Sequence, residues 1–389
     1  MSDMKNLIIK EMDLGKDTLK TIDVLRKAGK DYTINSTSHS EVIDRYHPDF
    51  LYLKVVEIIE ENSDVKTFRL ASTKGALPAF QSGQYINIFV NIDGTLTSRP
   101  YSISSSNRTT GHLDVTIQRV DGGFVSNYFI DKVKVGDEFE STAPAGHFHY
   151  NPVFHSKKVV FIAGGSGITP FLSMSREVLY SGLDREITLI YGCRNKESIL
   201  FYDELKSMAD NYPNFNLKLV LSEPEAGYSG LTGFINKDII KDGLGNLNEY
   251  SFYVCGPQVM NESVKNQLEK LGVRGKNVKI EMSGSTKDVS KEPNYPENIK
   301  PTDSFTVTVN GDRKIKAAAN ESLLTSLERA NIEVKNVSCR SGECSLCRLK
   351  LEDGEVFMPK EALMRHADEK YSYIHSCKAF PLSDLKIKL

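Results

Sequence analysis

The chain has 389 residues, enough for two or three domains, and its 40% hydrophobic and 26% charged content is that of an ordinary globular protein. Its 49 Lys and Arg nearly balance its 51 Asp and Glu, so the net charge of −2 leaves no footprint for nucleic acid. No apolar run approaches the length of a membrane span, which argues against membrane insertion.

The N-terminus, Met-Ser-Asp-Met-Lys-Asn, leads only to a short apolar patch (Leu7 to Ile9), which is not the pattern of a signal peptide. Residues 1–49 read as an extension whose role the sequence leaves open: a short amphipathic helix over Leu19 to Gly29, with a glycine stop, and a loop at Ser36 to Ser40. A helical appendage is the simpler reading, a partner-docking element the alternative.

From residue 50 to 152 the texture changes to short strands. Leu51–Ile59, Thr67–Leu70, Gln84–Val90 and Leu113–Arg119 alternate or run apolar between turn residues, which predicts a small antiparallel β-barrel. Arg99-Pro-Tyr-Ser102 lies within it. A solvated barrel face would explain these residues, but so would a flavin. Arg99 can pair with a phosphate, Tyr101 can stack, and Ser102 can hydrogen-bond near N5. Asp121-Gly-Gly-Phe-Val-Ser-Asn127 then enters a helix. Its glycines permit close backbone approach, and Ser126 with the helix N-terminus offers donors to a phosphate. His147 and His149 sit two apart with no carboxylate company, so they read as surface or packing residues.

Residues 153 to 284 read as strand–helix units. Val159–Ala163 is a buried parallel strand by composition, and it runs into Gly164-Gly-Ser-Gly-Ile-Thr-Pro170 and a helix to about Tyr180. Such a turn suits a dinucleotide phosphate, although it is not the Gly-x-Gly-x-x-Gly fingerprint. Strands at Ile187–Gly192, Leu217–Leu221, Phe252–Cys255 and Val278–Glu281 follow, which makes five parallel strands and a doubly wound α/β domain. Cys255-Gly-Pro257 ends the fourth strand, where a sheet of this kind binds its ligand, so Cys255 falls where a nicotinamide ring would sit. Residues 285–302, rich in Lys, Glu, Pro, Asn and Ser, read as a flexible linker.

Residues 303–389 contain Cys339-x4-Cys344-x2-Cys347 and a distant Cys377. This is the ligand spacing of a plant-type [2Fe–2S] ferredoxin, with two thiolates for each iron. Zinc is disfavoured because no His stands at zinc spacing, and disulfides because the chain is neither small nor visibly secreted. Strand signals at Ser304–Val309, Arg348–Leu351 and Asp384–Leu389, with a helix over Glu321–Ala330, give the β-grasp (α+β) order. The other two cysteines, Cys193 and Cys255, follow apolar runs and do not read as a disulfide. A reducing, cytoplasmic setting follows from this.

In this order the motifs Arg-x-Tyr-Ser, Gly-Gly-x-x-Ser, Gly-Gly-x-Gly-Ile-Thr-Pro and Cys-Gly-Pro resemble the ferredoxin–NAD(P)+ reductase superfamily over residues 50 to 389. The cluster domain makes the chain similar to iron–sulfur flavoprotein reductases, such as those serving oxygenases or the hybrid-cluster protein. The resemblance implies that Arg99, Tyr101 and Ser102 hold the flavin and that Gly123, Val125 and Ser126 hold its phosphates. It places Thr169 between flavin and nicotinamide. It implies that Gly165, Gly167, Pro170, Cys255, Gly256 and Pro257 position the nucleotide, with Arg194 near the adenosine half. Cys255 and Ser102 are then the residues nearest the chemistry. The Gly-Gly-Phe-Val-Ser loop resembles the FAD branch more than the FMN branch. Glu223 and Glu225, which would repel a 2′-phosphate, favour NADH over NADPH, although Arg194 keeps NADPH open. Ser345 stands where such ferredoxins usually carry Gly, which bears on the reduction potential.

The implied activity is an NADH-dependent reductase that passes electrons through FAD and a [2Fe–2S] cluster to a separate redox partner protein, a terminal oxygenase or another oxidoreductase. The alternatives are an electron-transfer subunit docked in a larger complex and a self-sufficient reductase of a small acceptor.

Overall fold

A computed structural model of the chain describes residues 15–28, 43, 48–151, 153–281, 288–335, 337–360 and 362–389. The readings at Leu7 to Ile9 and Ser36 to Ser40, and the start of the 285–302 linker, lie outside these residues. The chain divides into two units, Met1–Asp49 and Phe50–Leu389. In the first, α1 spans Gly15–Lys27, with Asp17 in its first turn and Arg26 and Lys27 in its last, signs that complement the helix dipole.

The second unit opens with six antiparallel strands: β1 (Phe50–Asn62), β2 (Val65–Ser72), β3 (Tyr85–Ile92), β4 (Thr95–Ser102), β5 (Leu113–Gln118) and β6 (Glu138–Thr142). They form one sheet in the order β4-β3-β6-β1-β2-β5. Alternation drives it: Leu51, Leu53 and Val55 are buried while Tyr52, Lys54 and Val56 face outward. Helix α2 (Phe124–Asp131) plugs the interior, where Phe129 meets Phe68 edge to face at 5.3 Å. Strand β6 carries little apolar signal, since only Phe139 and Ser141 of Glu-Phe-Glu-Ser-Thr are buried.

Next come β7 (Lys158–Gly164), α3 (Thr169–Tyr180), β8 (Glu186–Cys193), α4 (Tyr202–Asn211), β9 (Phe215–Leu221), β10 (Leu231–Thr232), α5 (Lys237–Lys241), β11 (Tyr250–Cys255), α6 (Gln258–Lys270) and β12 (Val278–Glu281). All six strands are parallel, in the order β10-β9-β8-β7-β11-β12. Strand β7 shows why the sequence run is continuously apolar. Val159 and Phe161 enter one core cluster and Val160 and Ile162 the other, so both faces of the sheet are covered. The two-residue β10 adds a sixth strand to the five expected; it is too short to leave a periodic signal.

The last part holds β13 (Ser304–Val309), β14 (Arg313–Ala318), α7 (Leu323–Arg329), β15 (Arg348–Asp353), β16 (Val356–Phe357), α8 (His366–Lys370), β17 (Tyr373–His375), β18 (Phe380–Pro381) and β19 (Leu385–Lys388). The main sheet runs β14-β13-β19-β15-β17, with β13 and β19 parallel, and β16 pairs with β18. Ser322 caps α7 by accepting from the Thr325 amide, and Leu323 and Leu327 bury its inner face.

The segment before β13 differs from the flexible linker expected. Val289 is fully buried, Gln258 of α6 donates to Glu292 at 3.3 Å, and Tyr295 packs edge-on against Phe357 at 5.2 Å. Composition signalled solubility, but these three contacts make residues 288–295 a strap lying against both flanking domains.

Candidate functional site

The loop from Cys339 to Cys347 turns tightly because three of its residues take left-handed backbone angles: Arg340 (φ 55°), Gly342 (φ 86°) and Ser345 (φ 58°). A Cβ on Gly342 would also press on Lys378 and Ala362 at 3.0 and 3.2 Å. The loop is clamped from behind. Buried His375 meets the Gly342 carbonyl through Nδ1 at 3.1 Å and Asp368 through Nε2 at 3.5 Å, and Arg348 reaches Asp368 at 3.4 Å. Ser376 adds a 2.7 Å bond from its hydroxyl to the Cys347 carbonyl.

This brings the four predicted thiols together, all of them free. Cys347 and Cys377 lie 3.2 Å apart, and the amides of Ser341 and Cys344 each donate to Cys339 Sγ at 3.4 Å. In each pair one thiol is held below its usual range by its neighbour, Cys339 by Cys344 and Cys347 by Cys377. Among the described residues no three His, Cys, Asp or Glu side chains surround a single point suited to one metal ion. Two thiol pairs are instead what a two-iron cluster needs, one pair for each iron. The donor set therefore fits a [2Fe–2S] cluster, and buried backbone amides aimed at sulfur are a tuning feature of such sites.

On the barrel, Tyr101 and Ser102 lie opposite Ile86 and Tyr85 in the β3–β4 register. Tyr101 packs edge-on against Phe129 at 5.8 Å. Arg99 Nη1 donates to Thr97 Oγ1 at 2.8 Å and to the Ser98 carbonyl at 2.7 Å, and stands 4.0 Å from Glu328 on α7. Burial, then the neighbouring Arg340, lowers the Arg99 pKa to about 10, so the guanidinium is still charged at neutral pH. Gly123 precedes α2. A Cβ there would come 2.3 Å from Ser126 Oγ and 2.9 Å from the Val120 carbonyl, so this cradle has no room for a side chain. Val125 is buried beneath it.

In the parallel sheet the glycine turn splits into two roles. Gly165 is left-handed (φ 54°) with open space where a Cβ would stand, and it lines a cavity of about 830 Å3 with Arg194, Ser222, Pro257 and Met260. Gly167 instead packs on the end of β11, where a Cβ would fall 2.3 Å from the Cys255 carbonyl. Thr169 and Pro170, both buried, start α3, and the Thr169 hydroxyl donates to the Ser166 carbonyl at 3.1 Å. Gly256 packs closely on Gly164 and Met260, where a Cβ would come 3.1 Å from the Gly164 amide, and Pro257 precedes α6. Arg194 is well exposed and bonded to Glu223 at 2.8 Å.

Several residues of the site carried no motif. Glu281 ends β12 beside Cys255, whose thiol donates to its carboxylate at 3.8 Å. Burial, then Glu343 of the cluster loop, pushes the Glu281 pKa up to about 8. The rule that ligands meet strand carboxyl ends, applied to the last strand as it was to Cys255, would have found it. No sequence signal marked the bonds that join the barrel to the cluster domain. Asn87 donates to the Val337 carbonyl at 2.7 Å, Tyr85 bonds Ser338 at 3.1 Å, and Thr97 donates to Glu328 at 3.1 Å. Glu328 also pairs with buried Arg340.

A flavin-type barrel and a dinucleotide sheet, with a two-iron thiol loop bonded to the barrel, define an iron–sulfur flavoprotein reductase. Family profiles match in the same order: an oxidoreductase FAD-binding domain over residues 52–150, an oxidoreductase NAD-binding domain over 161–266, and a 2Fe-2S iron-sulfur cluster binding domain over 307–382. The chain is 27% identical to the glycine betaine monooxygenase reductase subunit of Pseudomonas aeruginosa, with 86% of this chain and 94% of the relative aligned. It is 32% identical to NADH-cytochrome b5 reductase 1 of Dictyostelium discoideum over 58% of this chain and 79% of the relative. Its fold superposes on that of phthalate dioxygenase reductase with a TM-score of 0.67 and 26% identity, covering 87% of this chain and 98% of that one. The chain belongs to the ferredoxin–NAD(P)+ reductase superfamily and carries a C-terminal [2Fe–2S] ferredoxin domain. It is a nucleotide-dependent oxidoreductase whose cofactors are FAD, NADH and a [2Fe–2S] cluster. Among the described residues no helix is long and apolar enough to cross a membrane.

Proposed function

We propose that the protein takes electrons from NADH and delivers them singly to a separate one-electron acceptor protein, a terminal oxygenase or another oxidoreductase, in a reducing cytoplasmic setting. The observation that carries the reading is the bonded junction between the flavin-motif strand β4, its neighbour β3 and the cluster domain, within one compact unit. It supports a short path between a flavin on β4 and a cluster on the thiol loop. Similarity to reductase components such as the ferredoxin reductase component of 3-ketosteroid-9-alpha-monooxygenase from Rhodococcus rhodochrous, 27% identical over 86% of this chain, supports a separate acceptor. The working division is 50–152 for FAD, 153–284 for the nucleotide, 285–302 as linker and 303–389 for the cluster, with 1–49 of open role.

When bound, the flavin converts a two-electron hydride into single electrons and the cluster carries them one at a time. The protein's part is placement. Arg99 would pair with the flavin phosphate, Gly123, Val125 and Ser126 would form the phosphate cradle, Tyr101 would flank the ring and Ser102 would donate near N5. Thr169 would stand between ring and nicotinamide. Gly165, Gly167, Pro170, Gly256 and Pro257 seat the nucleotide, and Cys255 with Glu281 closes the nicotinamide end. Cys339, Cys344, Cys347 and Cys377 hold the cluster. Glu223 already occupies Arg194, which supports NADH over NADPH.

The test is an anaerobic titration of the cofactor-loaded protein with NADH and then NADPH, followed at the flavin and iron–sulfur bands. Bleaching of both by NADH is expected. A protein that neither nucleotide reduces would sink the reading and favour a docked subunit without its own nucleotide reaction.

A further inference from the structure

The junction between the barrel and the cluster domain contains one bond made by a rigid aromatic side chain to a residue beside a cluster cysteine. Tyr85 opens β3 directly opposite Ser102, so the two side chains share a face of the sheet. Its backbone is pinned by paired bonds with Ala145 at 2.9 Å each way. Its ring lies against Gly146, where a Cβ would come within 2.9 Å of it. Its hydroxyl meets Ser338 Oγ at 3.1 Å, and Ser338, itself buried, is joined by one peptide bond to the ligand Cys339. One rigid side chain thus spans from the neighbour of the flavin-motif strand, directly opposite Ser102, to the residue beside a cluster thiol.

We propose that Tyr85, through its hydrogen bond to Ser338, is a positioning residue for electron transfer from flavin to cluster, providing a continuous bonded route to Cys339. This rests on the assignment of Ser102 to the flavin. Tunnelling decays more slowly along covalent and hydrogen bonds than across gaps, so the route favours Cys339 over the other three ligands as the point of entry. The step moves one electron from reduced flavin to a ferric iron, which becomes ferrous. No bond to Tyr85 forms or breaks, and each NADH supplies two such transfers. The other bonds of the junction end elsewhere or run through a longer side chain. Asn87 meets the Val337 carbonyl, two residues before Cys339, and Thr97 meets Glu328 and accepts from the Arg340 guanidinium at 3.3 Å. Burial pushes the Tyr85 hydroxyl pKa far up, so it stays protonated throughout the working pH range.

The experiment is stopped-flow reduction of the holoprotein by NADH, resolving flavin reduction from the later appearance of the reduced cluster. It compares wild type, Tyr85→Phe, Ser338→Ala, the double variant and Asn87→Ala. The cluster's potential and its electron paramagnetic resonance spectrum are recorded for each. The expected result is unchanged flavin reduction, a several-fold slower cluster phase in Tyr85→Phe and Ser338→Ala, and no further slowing in the double variant. Cluster potential and spectrum should be unchanged and the slowing in Asn87→Ala smaller than in either Tyr85→Phe or Ser338→Ala. Equal slowing by Asn87→Ala reduces Tyr85 to domain docking and overturns the proposal. So does a wild-type rate in both single variants. A wild-type protein whose flavin is reduced while its cluster never is refutes the wider reading instead.

Discussion

Cys347 and Cys377 are thirty positions apart in the chain, and their sulfurs lie 3.2 Å apart. The first ends the cluster loop and the second follows β17, and β15–β17 pairing sets Arg348 opposite His375, which carries the two cysteines into register. With the pair Cys347 and Cys377 holding one iron, as proposed, Cys377→Ser would remove half of that iron's protein ligands. The expected outcome is loss of the iron–sulfur absorption and spin signal, with flavin reduction by NADH retained. Titration at both bands checks this.

Gly167 has no freedom to carry a side chain, because its Cβ would stand 2.3 Å from the Cys255 carbonyl and 2.8 Å from the Gly256 amide. Both neighbours are backbone, so the turn itself must move. Gly167→Ala should raise the NADH dissociation constant by about tenfold or more, the equivalent of roughly 1.4 kcal/mol. Flavin and cluster content should not change. Equilibrium binding of NADH measures it.

Glu281 gives a pH dependence of defined sign. Its folded pKa of about 8 is above the ordinary 4.5, so the folded state holds a proton that the unfolded state releases. This group's contribution is fully present below the ordinary value and is lost as pH rises toward 8. Glu281→Gln should flatten the decline of thermal stability between pH 5 and pH 8 and be the more stable form at pH 8. Melting curves across that range decide it. Parallel curves for the two proteins would show that Glu281 does not titrate there.

Ser345 is a non-glycine residue at φ 58°, nearly buried, and its hydroxyl has no partner among the described residues. The left-handed conformation costs an L-residue roughly 1–2 kcal/mol. Ser345→Gly should stabilise the cluster-free protein by about 1 kcal/mol, read from denaturant midpoints at constant slope.

Arg194, which lines the cavity with Gly165 and Ser222, forms an exposed pair with Glu223 at 2.8 Å. Glu223→Ala should release the guanidinium for a 2′-phosphate, with which it can form a charge-assisted bidentate pair. The value of kcat/KM for NADPH should therefore rise several-fold, while that for NADH should change little. Steady-state reduction of an artificial acceptor with each nucleotide checks it.

Much of the architecture was legible because it is written in local patterns. Alternating Leu51, Leu53 and Val55 announced a half-buried strand, and unbroken Val159 to Ala163 announced a strand covered on both faces. The short or polar elements were not legible. Strand β10 has two residues, β6 buries only Phe139 and Ser141, and β17 is three residues long, so none reaches a full period. Residues 288–295 misled for another reason. Their composition is that of a loose chain, yet Val289, Glu292 and Tyr295 have tertiary partners that composition cannot register.

By itself the sequence determined which chemistry the chain can carry. Thiolate spacing, an Arg-x-Tyr-Ser strand and glycine turns are local requirements of iron, flavin and phosphate, met by residues close together in the chain. Only the tertiary structure decided how these sites face one another. Tyr85 meets Ser338 across 253 positions and Thr97 meets Glu328 across 231. Cys255 finds Glu281 because two strands of one sheet end side by side. Such contacts depend on domain packing, where side chains without any motif become partners because burial leaves their polar groups no water to bond.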